Sequence, residues 1–159
     1  MSLPARRRLQ VLLRLRPYAP AVVGLPCSVR SAFRAGRELS PERIVIAGAD
    51  DAFLKKWSFQ LRAAQAPVVC GLDAGLPLLA VDADVFPDEK GLPYFLAAAE
   101  AAPGDCIRRL AGRTVCAFVR EASRLGAGKD SPAEVHARAL AASVSETPAG
   151  SFLDALEPA

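Results

Sequence analysis

No aspartate or glutamate precedes Glu38, no lysine precedes Lys55 and no glycine precedes Gly24. Against the missing acids stand eight arginines between Met1 and Arg37: Arg6, Arg7, Arg8, Arg14, Arg16, Arg30, Arg34 and Arg37. That asymmetry suits either an anionic partner near the N-terminus or a solvated basic arm. Over the whole chain the formal charge is only +3, which excludes a polycation of the kind that coats nucleic acid. The interleaved aromatics of a single-strand binder and the basic amphipathic helix of a membrane-surface protein are also missing.

Histidine occurs once, at His136, and the four cysteines, Cys27, Cys70, Cys106 and Cys116, form no C-x-x-C pair. A zinc centre needs several soft ligands at short spacing, so none is expected. His136 stands in an alanine-rich helical stretch without a nucleophile beside it, and reads as a helix-surface residue. The cysteines read as reduced packing thiols of a cytoplasmic protein. "RRRLQVLL" imitates a twin-arginine signal, but Arg14 and Arg16 break the apolar stretch too soon for a cleaved signal or a membrane span. In "GLPCS", Pro26 before Cys27 speaks against a lipoprotein box, while the Arg-rich, acid-poor start also suits an organellar transit peptide.

What is present is ample core material. A chain of 159 residues with 52% hydrophobic and 23% charged content predicts one domain over 1–145, followed by a Pro/Gly-bearing linker or docking tail over 146–159. Apolar runs at 9–13, 43–47, 67–70 and 78–81 read as strands, and "CIRRLA" and "TVCAFV" as short strands or edges. Between them lie helical stretches: "LPCSVRSAFRAG" with Gly36 as its stop, "AFLKKWSFQLRAAQ" capped by Asp50 or Asp51, "LPYFLAAAEAA", and "SPAEVHARALAAS" with Ser131 as cap and Pro132 at its first position. The alternation predicts a three-layer α/β sandwich around a mostly parallel, Rossmann-like sheet.

In such sheets ligands bind outside the carboxyl ends of the strands, where Asp82 and Asp84 fall in "PLLAVDADVF". Residues i and i+2 of an extended chain project to one side, so both carboxylates face a single cation. Mg2+ takes one or two carboxylates and fills its octahedron with water and phosphate oxygens. The plain alternative is that either aspartate caps the following turn.

The series "AVVGLPCSVRSAFRAG", "ERIVIAGADD" and "PLLAVDADVF" resembles nucleotidyltransferase-like domains of the sugar-nucleotide and molybdopterin-cofactor type, over residues 9–120. The resemblance matches Gly24 and Pro26 to the family's turn, Ala35 and Gly36 to its helix end, and Asp82 or Asp84 to its metal position. A similar variant is the half fused ahead of a membrane CDP-alcohol phosphatidyltransferase, which the resemblance implies as a partner type. The family's phosphate loop is glycine-rich so that backbone N–H groups approach the phosphates unobstructed. Here that stretch is "RLRPYAPAVV", which lacks glycine, and Arg14 and Arg16 stand where charge-assisted contacts would replace backbone donors. The expectation is a degenerate binding or regulatory module for a nucleotide or other phosphorylated small molecule, with Arg14, Arg16 and Gly24 at the ligand and Asp82 and Asp84 at Mg2+. The alternative is an active Mg2+-dependent nucleotidyltransferase.

Overall fold

The computed structural model describes residues 6–14, 27–82, 91–102, 104–110 and 113–141. The run "RRLQVLLR" forms strand β1, Arg7–Arg14, whose middle five residues are all buried. Alternation sends Leu9, Val11 and Leu13 to one face and Leu12 to the other, so β1 needs a helical layer on each side. The further strands are β2 (Pro41–Ala47), β3 (Val68–Val69), β4 (Leu78–Val81), β5 (Cys106–Leu110) and β6 (Arg113–Val119).

They make one six-stranded sheet in the order β3-β2-β1-β4-β6-β5. The β3-β2, β2-β1 and β1-β4 pairs are parallel, and β6 runs antiparallel to both its neighbours, β4 and β5. The helices are α1 (Cys27–Leu39), α2 (Asp51–Lys56), α3 (Ser58–Leu61), α4 (Gly91–Ala101) and α5 (Pro132–Ala141). One core face joins α1, α3 and α4 to Val11, Ile44, Leu79 and Phe118; the other packs Val135 and Ala139 of α5 on Leu12, Val45, Ala80 and Ala117. The fold is therefore mixed α/β with helices on both sides of a mostly parallel sheet. No helix among the described residues is long and apolar enough to cross a membrane.

Several local expectations change. Gly36 does not stop α1, which continues to Leu39 and ends where Ser40 turns left-handed (φ 48) ahead of Pro41. Gly36 instead marks a close approach: a Cβ there would lie 1.7 Å from the Ala64 carbonyl oxygen. Residues 51–64 are not one helix either. They break at Trp57 into α2, α3 and a 3-10 turn, Arg62–Ala64, that ends at left-handed Gln65. Asp50, not Asp51, is the cap, its Oδ1 accepting from the Phe53 N–H at 2.8 Å. Of the two runs read as short strands or edges, both are strands: β5 forms the edge of the sheet and β6 lies inside it.

Two polar side chains tie loops to this frame. Gln10, fully buried in β1, donates through Nε2 to the Asp73 and Leu76 carbonyls and accepts from the Asp73 N–H at 2.9 Å, which satisfies its amide inside the core. Arg120 donates to the Ala99, Glu100 and Ala102 carbonyls at the end of α4, where free acceptors and the negative end of the helix dipole meet a cation.

Candidate functional site

The chain passes from β1 to β2 on one side, while β4 lies on the other side of β1. This reversal opens a crevice between the carboxyl ends of β1 and β4, the usual ligand position in an open α/β sheet. The residues there follow from register. Leu12 pairs with Ala80, so two residues on, Arg14 ends β1 level with Asp82. By the same alternation both side chains share the face of Leu12 and Ala80, the one covered by α5.

Asp82 is 4% exposed, and its backbone N–H donates to the Val115 carbonyl at 2.9 Å, extending the β4-β6 ladder by one residue. It is thus the polar end of a wholly buried central strand, and it also faces a cavity of about 310 Å³. Arg14, Thr114 and His136 complete the polar wall, with Ala137, Leu140 and Ala141 of α5 on the apolar side. Ligand pockets generally span about 300–1,000 Å³, so this one holds a small molecule or one arm of a larger ligand.

His136 overturns the surface assignment. It is 2% exposed, and its Nε2 lies 2.9 Å from the Val81 carbonyl oxygen. Because a carbonyl only accepts, Nε2 carries the proton, and in the neutral ring Nδ1 is then the acceptor nitrogen. The signal was available in the sequence: Val135, His136, Ala139 and Leu140 fall at the spacing of one helix face, and the other three are apolar. Ser131 caps α5 as expected, its Oγ accepting from the Glu134 N–H at 3.3 Å. That cap sets where the helix starts and therefore which residues meet the sheet.

The structure brings Arg14 and Asp82 together and adds His136 and Thr114, which the sequence did not mark. Arg16, Gly24 and Asp84 lie outside the described residues, as does the tail over 146–159. Among the described residues no three His, Cys, Asp or Glu side chains group as metal ligands. Asp82 alone meets the minimum for Mg2+ only if phosphate oxygens and water supply the remaining positions, so the donor set fits an ion that arrives with a phosphorylated ligand.

Beneath the crevice, on the opposite face of the sheet, lies Cys116. Burial pushes its thiol up to about 12, while nearby Arg108 pulls it down and Asp82 raises it further. Cys106 is raised chiefly by burial, and Cys70 by burial and then by its hydrogen bond to Asp51. These three cysteines are unpaired, buried or half-buried thiols, without the depressed pKa of a nucleophile.

Compared with protein-family models and with curated proteins, the chain finds no match. The functional reading therefore rests on the site's own residues and on the sequence resemblance.

Proposed function

We propose that the protein is a degenerate nucleotidyltransferase-like module that binds a phosphorylated small molecule in the crevice between β1 and β4. The observation that carries this reading is the convergence of Arg14, Asp82 and His136 on one cavity at the reversal point of the sheet. A mostly parallel sheet in the order β3-β2-β1-β4-β6-β5, with helices on both sides, is compatible with a three-layer fold of the kind the resemblance implies. Arg14 supplies a guanidinium fork for a phosphoryl group. Asp82 supplies a carboxylate for a cation that accompanies the ligand, or for a ligand hydroxyl or amine. His136 adds an imidazole to the cavity wall, its ring orientation held by the Val81 carbonyl. A regulatory association with a CDP-alcohol phosphatidyltransferase rests on the resemblance alone.

Binding without turnover is the expected behaviour, because the stretch that should present phosphate-binding N–H groups lacks glycine. The test is a thermal-shift panel of nucleoside triphosphates and sugar nucleotides with and without Mg2+. A ligand at a hundred times its Kd stabilises the folded state by about 2.7 kcal/mol. That response should be lost in Arg14→Ala, and any Mg2+ dependence should vanish in Asp82→Asn. Pyrophosphate release from a nucleoside triphosphate in the presence of Mg2+ would make the protein an active enzyme instead. A flat panel would sink the ligand reading altogether.

A further inference from the structure

The cavity beside α5 has two walls of opposite character, and together they narrow the ligand. On the polar side Arg14 ends β1 level with Asp82 beyond β4, so a guanidinium and a carboxylate flank the crevice from neighbouring strands, about 5 Å apart at the backbone. No ion pair among the described residues joins the two. Both signs of charge therefore border one space of about 310 Å³.

The other wall is aliphatic, made by Ala137, Leu140 and Ala141 of α5. Among the described residues no aromatic side chain lines the cavity, so a nucleobase finds no stacking partner there. Nor can that wall hydrogen-bond the waters that Mg2+ keeps around itself. Asp82 is 4% exposed, which leaves little room for a hydrated ion, and no three His, Cys, Asp or Glu side chains group as metal ligands among the described residues. A ligand ammonium asks for less. It is a compact charge with three donors, it has no octahedron to fill, and the carbon chain that carries it matches the aliphatic wall. A carboxylate has about four acceptor positions, so Asp82 can take an ammonium alongside a protein partner.

We infer that the crevice recognises a short, amine-bearing phosphomonoester, with its phosphoryl group on Arg14, its ammonium on Asp82 and its carbon chain against α5. This rests on the reading of the crevice as a phosphate-binding site, and narrows its ligand from phosphorylated molecules at large to zwitterionic ones.

The probes are aminoethyl phosphate and ethyl phosphate, which differ only by the amino group, titrated against the full chain in EDTA and read as Tm. The amine should lower the half-saturating concentration about tenfold, the worth of a hydrogen bond to a charged group. Chelation of divalent ions should leave that preference unchanged. Asp82→Asn should bring the two esters to the same weak binding, whereas Arg14→Ala should lose both. Equal half-saturation by the two esters in the wild-type protein overturns the inference, and this comparison decides alone if Asp82→Asn does not fold. An Asp82→Asn variant that keeps the tenfold preference overturns it as well. A nucleoside triphosphate that binds with Mg2+ where aminoethyl phosphate does not would overturn the inference and leave the phosphate-binding reading standing. Indifference to every phosphomonoester and nucleotide would overturn both.

Discussion

Cys116 couples the sheet's interior to pH. The ordinary value for its thiol is 9.0, and burial raises it to about 12 in the folded protein. Above pH 9 the unfolded chain releases this proton while the folded chain holds it. The unfolded state then binds fewer protons, and stability falls as pH rises through the interval up to 12. One such group contributes at most about 1.4 kcal/mol per pH unit. Urea midpoints from pH 8 to 10.5 should therefore decline less steeply for Cys116→Ala than for wild type, although the variant starts lower because it opens a cavity. Parallel declines would show that the thiol titrates in the folded state as it does in water. His136 teaches a related lesson. A lone histidine among alanines looks solvated by composition, yet its place on the Val135–Ala139–Leu140 stripe decides its burial, and periodicity outweighs composition there.

At the scale of elements, the contact between α1 and the 3-10 turn at Arg62–Ala64 depends on the bare face of Gly36. Gly36→Ala would gain about 1 kcal/mol of helix propensity in a helix interior. Against it stands a Cβ 1.7 Å from the backbone oxygen of Ala64, which no rotamer change relieves. Overpacking costs about 1–3 kcal/mol or more when backbone must move, so the clash wins and the variant should unfold at lower urea. A midpoint equal to or above wild type would mean that the two elements do not approach so closely. This glycine could not be told from a stop by sequence. Its neighbour in space is 28 residues away in the chain, whereas Pro41, which does help end the helix, is a local signal.

For the whole molecule, the strands at 9–13, 43–47 and 78–81, the caps Asp50 and Ser131 and the two-sided sheet were legible because each is written in local period and turn chemistry. The antiparallel insertion of β6 between β4 and β5 was not, since strand order is a matter of long-range pairing. Arg14 and Asp82 were legible as strand-end residues, but their company was not: Thr114 and His136 reach the same cavity from β6 and α5. Nor does the arginine-rich beginning form a single basic face. Arg7 pairs with Glu100 at 3.2 Å and Arg8 donates to the Gly75 carbonyl at the amino edge of the sheet. Arg14 stands at the carboxyl edge, roughly 20 Å away along an extended strand. Arg34 is taken up by Glu38 on α1. Charges crowded in sequence are thus dispersed in space.

The order of the strands also sets a sequence of events in time. β1 is bonded on both sides, to β2 and β4, whereas β3 contributes two residues at one rim and β5 closes the other. Amide hydrogens at Val11, Leu12 and Leu13 should exchange with deuterium only on global opening, and those of Val68 and Val69 much sooner through local fraying. Equal rates across the sheet would deny that hierarchy. If it holds, the crevice is walled by the two strands that let go last, and Arg14 and Asp82 keep their mutual position through every partial opening of the rims.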